Sequence, residues 1–327
     1  MSAFQLIESG VYVIRLAILL QNAMLPPSTF KTGGPVSDSL FPDQQPANVH
    51  HLRVGEIVVT TLMDAYMQGS LELIQHVDAS RVEALQAQSL RPNPPRITLN
   101  AYLLHIGDQR VLVDTGYGAL ASGEGARLSQ GLSDIGILPD AIDVILITHL
   151  HPDHIGGLIT ASDQPAFANA RILVPGEELD FWQQPAPDDA SDMFAQQFDV
   201  AHRVLEINRD RIERLDGDQV MEGVTRVALP GHTPGHSGYL IESGGERLLL
   251  WGDIVHLPQI QLPEPGAGVL FDVDGQQAMA TRKDILARVV REKLMIAGHH
   301  LDFPGIGHIV EDTQGYRFLP HVWSPTL

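Results

Sequence analysis

The sequence predicts an α/β fold in which two mixed sheets face each other with helices outside. Three observations carry that expectation. Strand-like and helix-like segments alternate through two halves of similar style. Candidate metal ligands fall at the C-terminal ends of strand-like runs, where the loops of sheet-based folds converge. One such run, residues 143–147, is almost continuously apolar, as a strand buried on both faces must be.

The chain has 327 residues, enough for a large core. Its formal net charge of -19 argues against a nucleic-acid partner, which selects a basic face, and favours a small neutral or apolar substrate. Cysteine is absent, so thiolate ligands, disulfides and cysteine nucleophiles are excluded. No apolar run approaches the roughly 18 residues of a membrane span. Residues 11–20 come nearest and are interrupted by Arg15. With no basic start before them they read as a strand or short helix packed on the domain, and the expected location is cytoplasmic.

Residues 21–50, rich in Pro, Ser, Gly, Asn and Gln, read as a loop or arm. The expected division is therefore an N-terminal extension over 1–50 and one domain over 51–327. His50 and His51 end the arm as solvated histidines. Residues 54–63 suggest one or two strand edges, and 63–67 a loop. Residues 80–90 suggest a helix with Ser80 as N-cap and Glu83 closing a capping box. Residues 97–106 and 110–113 form a hairpin through Gly107-Asp108. It leads to Val113-Asp114-Thr115-Gly116, where Asp114 is either a plain turn residue or a carboxylate that orients a metal ligand. Residues 125–137 have helical spacing.

The apolar run then delivers His149-Leu150-His151-Pro152-Asp153-His154. In extended chain, residues two apart point the same way, so His149 and His151 leave the strand as a pair. Pro152 ends the strand, and Asp153 and His154 approach from the start of a following helix. Gly156-Gly157 lets the backbone pass close by. Imidazoles with a carboxylate suit Zn²⁺, and also Mn²⁺, Fe or Co²⁺.

Further on, 171–174 is a strand, a helix opens at Pro175-Gly176-Glu177-Glu178, and 189–203 is an amphipathic helix. Strands at 224–229, 239–241 and 248–250 follow, then a helix over 276–292 and a last strand at 294–296. His232, Asp253 and His300 each follow one of these strands. A carboxylate such as Asp253 can bridge two cations through its two oxygens.

The pattern His-x-His-x-Asp-His resembles the signature of the metallo-β-lactamase superfamily. Val113-Asp114-Thr115-Gly116, Pro230-Gly231-His232-Thr233-Pro234-Gly235-His236, Gly252-Asp253 and the His300 motif extend the resemblance over roughly residues 52–310. It implies the αββα sandwich. It also implies that one metal takes His149, His151 and His232, that a second takes Asp153, His154 and His300, and that Asp253 bridges them. The phrase after His300, Leu301-Asp302-Phe303-Pro304-Gly305, is similar to the methyl parathion hydrolase branch. That likeness selects His300 over His299 as ligand and implies a homodimer.

Two divalent cations about 3.5–4 Å apart share a bridging hydroxide and polarise the electrophile. Water's pKa falls from about 16 to near 7, so no protein nucleophile is needed. The expected reaction is hydrolysis of an ester-type bond: an organophosphate triester or an aryl or carboxylic ester first, a lactone such as an acyl-homoserine lactone second. Asp153 and Asp253 are the candidate proton shuttles. An iron-dependent oxidoreductase on the same fold is the more distant alternative. Pocket candidates are Met67, Phe181, Trp182, Phe194, Phe198, His256, Leu257 and Phe271, with core packing the plain alternative for each aromatic. His256 lies three residues past Asp253 and reads equally as a substrate contact or a solvated histidine. His236 and His308 read as supporting residues.

Overall fold

The structure is a computed structural model that describes residues 48–121 and 127–327. The segment expected over 1–20, and the arm up to residue 47, lie outside the described residues.

Two seven-stranded sheets dominate. The first runs in the order β1 (Val49–Val54), β2 (Ile57–Gln68), β4 (Arg96–Ile106), β5 (Gln109–Val113), β6 (Val144–Leu146), β7 (Arg171–Pro175), β8 (Ile212–Leu215). β1 to β5 pair antiparallel, and β5 to β8 pair parallel. The second runs β16 (Tyr316–Pro320), β15 (Ile306–Glu311), β14 (Met295–Ala297), β12 (Glu246–Leu250), β11 (Ser237–Ser243), β10 (Val224–Ala228), β9 (Gln219–Met221). Only its β12–β14 pair is parallel. A two-stranded sheet pairs β3 (Ile74–Gln75) with β13 (Gly268–Val269).

Side-chain alternation sorts the core into layers, because successive strand residues face opposite ways. Leu104, Val113, Leu146 and Leu173 meet Tyr239, Ile241, Leu248 and Leu250 between the sheets. Their neighbours Leu103, Leu112, Ile145 and Ile172 point outward. There they meet Leu128 and Leu132 of α2 (Leu128–Asp134) and Phe198, Ala201 and Val204 of α5 (Asp192–Asn208). On the far side Leu249 and Ile296 meet Ile285, Leu286 and Val289 of α6 (Gly275–Glu292). This is the expected αββα order, and the run ending at Ile147 is buried on both faces as expected.

Several local expectations give way. Residues 63–67 are not a loop. β2 continues to Gln68, with a register shift between Met63 and Ala65. Asp64 at that bulge is buried and accepts hydrogen bonds from Tyr117 N (2.8 Å) and Leu128 N (2.9 Å), so the bend has a use. The first described helix, α1 (Ala79–Gln88), has Asp78 and not Ser80 at its N-cap, and no side-chain cap bond forms there. β14 is not the last strand, because β15 and β16 follow it. His50 and His51 belong to β1 and are not loop residues.

Candidate metal centre

Every ligand candidate is delivered by a loop at the same edge of the two sheets. His149 and His151 leave β6. Asp153 and His154 lie in α3 (Pro152–Ile155), which Pro152 opens at a position where its missing N–H costs nothing. His232 follows β10, Asp253 follows β12, and His300 follows β14. The seven side chains converge into two groups, His149–His151–His232 and Asp153–His154–Asp253–His300, with the ligand atoms of each group within 4.8 Å of one another.

The ring atoms that face inward are identifiable. His149 Nε2 lies 3.1 Å from His151 Nδ1. Asp253 Oδ2 is 3.6 Å from His149 Nε2 and 3.4 Å from His232 Nε2. It is also 2.8 Å from His300 Nε2, while Oδ1 is 3.2 Å from His154 Nε2. Asp153 Oδ2 stands 3.6 Å from His300 Nε2 and 3.7 Å from His154 Nε2. Each neutral imidazole has one donor and one acceptor nitrogen, so a single N–H···N bond can join His149 to His151 but cannot satisfy all the inward-facing nitrogens. Among the described residues, His154 Nε2, His232 Nε2 and Asp253 Oδ1 are buried with no hydrogen-bond partner. Buried polar atoms are seldom left so, and these N/O donors fit divalent cations.

The opposite ring nitrogens of His149, His154, His232 and His300 are anchored, an arrangement common around metal-binding histidines. His154 Nδ1 donates to Asp114 Oδ2 at 2.7 Å. Thr148 Oγ1 donates to the same oxygen at 2.6 Å and accepts from His149 Nδ1 at 3.0 Å. His232 Nδ1 donates to Asp272 Oδ1 at 2.8 Å, and His300 Nδ1 to Thr98 O at 2.9 Å. Asp114 is thus an orienting carboxylate. It sits at φ 57, a left-handed conformation that aspartate tolerates and that active sites often hold. Burial alone would raise its pKa, but His154 and His299 hold it well below the carboxylate range. His299 reaches Asp114 Oδ2 at 3.0 Å and groups with Asp114 and His154, whereas His300 groups with Asp153, His154 and Asp253.

His236 braces the backbone of Asp253. Burial lowers its pKa to about 3, so it is a neutral imidazole. Its Nδ1 donates to Leu229 O at 2.8 Å, and its Nε2 accepts from Asp253 N at 2.9 Å. Gly252, at φ 59, passes so close that a Cβ there would lie 2.3 Å from His236 Nε2. His308, half-buried on β15, takes no part.

The pocket candidates separate into two sets. His256 is buried at the centre, with Nε2 3.2 Å from Asp253 Oδ2 and its ring stacked on His300 at 4.8 Å. It is not a solvated loop histidine. Met67, Leu257 and Phe271 gather in one apolar cluster beside it. Trp182 and Phe198 are instead buried in the helix-side core, with Phe181 and Phe194 packed against it. Trp182 stands behind His151 with ring centroids 5.5 Å apart.

Three supporting residues were not singled out from sequence. Asp272 holds His232. Arg282, 1% exposed, donates to Ile254 O and Ala267 O at 2.7 Å each and so ties down the loop carrying His256. Glu178 is fully buried between two ligand loops.

Comparison with known proteins agrees with this geometry. The chain is 27% identical over 241 residues to an N-acyl homoserine lactonase from a Bacillus species, covering 67% of this chain and 84% of that protein. It is 30% identical over 166 residues to the probable metallo-hydrolase YybB of Bacillus subtilis, covering 49% and 64%. Its fold matches the hydrolase AbOPH of the β-lactamase superfamily with a TM-score of 0.80 at 27% identity, covering 86% of this chain and all of the other. It matches AidC, a dizinc quorum-quenching lactonase, with a TM-score of 0.80 at 24% identity, over 85% and 99%. The family model of the metallo-beta-lactamase superfamily matches residues 96–299, more than half of the chain and most of the ligand set, and the protein belongs to that superfamily.

Proposed function

We propose that the protein is a zinc-dependent hydrolase that opens lactones, N-acyl homoserine lactones foremost, at a centre of two cations. The observation that carries the reading is the convergence of His149, His151, Asp153, His154, His232, Asp253 and His300 into two adjoining ligand groups. Similarity to N-acyl homoserine lactonases over 67% of the chain supports the substrate class. The C-terminal phrase alone favours aryl esters and organophosphates. The lactonase relatives move lactones ahead of them, and the phosphotriester or aryl-ester activity stands as the second reading.

When bound, a pair of divalent cations supplies Lewis acidity and brings the pKa of water to near 7. The chain's own residues do the rest. Asp253 Oδ2 faces His149 and His232 of the first group as well as His300 of the second, so this one carboxylate would help hold a cation in either. Asp153, whose side chain is 13% exposed, is the ligand carboxylate nearest solvent, and its Oδ2 is our candidate proton acceptor. His256 Nδ1 is buried without a partner among the described residues, which suits a hydrogen bond to a substrate oxygen. Met67 and Phe271, partly buried against the cluster that holds Leu257, offer apolar surface for an acyl chain.

A rate panel tests this: one N-acyl homoserine lactone, one aryl ester and one phosphotriester, each with and without a chelator. The lactone should show the highest kcat/KM, and chelation should stop all three. Turnover of the phosphotriester alone would reverse the substrate order. Turnover indifferent to chelation, or consumption of oxygen, would remove the hydrolase reading.

A further inference from the structure

Glu178 is a buried carboxylate that touches neither a ligand side chain nor solvent, yet it joins the two loops that build the first ligand group. It lies in the short helix α4 (Gly176–Trp182) and is 0% exposed. Its Oε2 accepts from Leu150 N at 3.0 Å, the amide between His149 and His151. The same oxygen accepts from Trp182 Nε1 at 2.7 Å, one turn along the helix. Its Oε1 accepts from Gly235 N at 2.8 Å and from Thr233 Oγ1, both in the His232 loop.

The fit is close on every side. A Cβ on Gly235 would lie 2.5 Å from Glu178 N, so this loop rests directly on the backbone of α4. Trp182, held by Glu178, presents its ring edge-on to His151. His151 is otherwise weakly held on its outer side, since its Nε2 has no hydrogen-bond partner among the described residues. The loops are also joined by Ser237 N donating to Thr148 O at 3.0 Å and by Tyr239 Oη donating to Ile147 O at 2.7 Å. Those contacts join the strands behind the ligands. Glu178 joins the tips that carry them.

A buried carboxylate is costly unless its oxygens are fully bonded, and these are. Two apolar side chains could fill the same space at lower risk. The arrangement does something such a pair could not, which is to fix two backbone amides and an indole around one point. The second group has no contact with Glu178: Asp153 and His154 ride on α3, and His300 is held by Thr98 O.

We propose that Glu178 is a positioning residue that presets His149, His151 and His232 for a cation and makes this group the tighter of the two. This rests on the two-cation reading above, which the wild-type chain tests separately. Glu178→Gln keeps the size but turns an NH₂ toward at least one pair of donors, which opens the clamp.

The test is titration of the chelator-treated full chain with Co²⁺, followed by its visible d–d bands. Each variant is made in the wild-type background and in a His300→Ala background that cripples the second group. Circular dichroism and thermal melting of the metal-free forms report folding. Wild type should take its first equivalent at least about tenfold more tightly than its second. Glu178→Gln should weaken that first equivalent by about 10–100-fold, the range for loss of an outer contact to a ligand. The second should change little. First-equivalent affinity equal to wild type, or equal weakening of both equivalents, would overturn the proposal. If Glu178→Gln does not fold, Thr233→Val decides, since it removes one donor and leaves the carboxylate in place. It should weaken the first equivalent alone, and wild-type affinity there would overturn the proposal. Failure of the wild-type chain to bind Co²⁺ at all would remove the cation sites themselves.

Discussion

The two ligand groups meet at Asp253, whose Oδ2 lies within 3.6 Å of members of both, but they are built differently. The first consists of imidazoles from two loops. Burial, the largest influence, keeps His149 and His151 well below their ordinary pKa and therefore neutral, whereas at His232 burial is outweighed by Asp253 and Asp272, which raise its pKa to about 9. The second adds Asp153 and Asp253 to two imidazoles. There burial pulls the other way and loses, because Asp253 and Asp153 draw His154 and His300 toward the charged form. Their outer supports differ as well. The first group rests on Thr148, Asp272 and the Glu178–Trp182 platform. The second rests on Asp114 and one backbone carbonyl. One site is a preformed nitrogen cage, and the other is a more acidic site with a partly exposed carboxylate at its mouth.

Breaking what the groups share should have the largest effect. Asp253→Ala removes an oxygen from both, so metal-dependent turnover should fall by more than about a hundredfold, beyond the range for outer contacts. The melting temperature should fall too, since the five imidazoles around Asp253, of His149, His154, His232, His256 and His300, then face one another without the carboxylate. Metal content and a melting curve check this, and retention of both equivalents would refute the bridging role. Asp272→Asn sharpens the contrast. Weakening the hold on His232 should lower affinity at the first group by about 10–100-fold and spare the second. Stepwise titration with Zn²⁺ reads the two separately. Phe198→Ala is the smallest at the metals. It should cost about 3–5 kcal/mol of stability by opening a core cavity and leave metal stoichiometry unchanged. Loss of metal in the folded variant would show that the aromatic cluster belongs to the site.

The parts legible in sequence are those whose chemistry is local. The six positions from His149 to His154 carry strand end, turn and ligands together, and His232, Asp253 and His300 each announce themselves beside glycine or another histidine at a strand end. The alternation in 97–113 fixed the hairpin for the same reason. What escaped depends on distance along the chain. Glu178 meets partners 28 and 57 residues away, and Asp272 meets His232 across 40. A lone acidic residue in a helix's first turn, or after a loop phenylalanine, gives no sign of burial. Ser80 has the composition of a cap, but the chain enters the helix two residues earlier, at Asp78. For Phe198 and Trp182 the sequence leaves pocket wall and core packing both open, because aromatic content marks both, and packing places them in the core.

The most direct test is the metal content of the purified wild-type chain, measured by elemental analysis after dialysis against metal-free buffer. The account predicts two divalent ions per chain, zinc foremost. A chain that keeps one or none under conditions where it is folded would contradict a centre built from seven converging side chains.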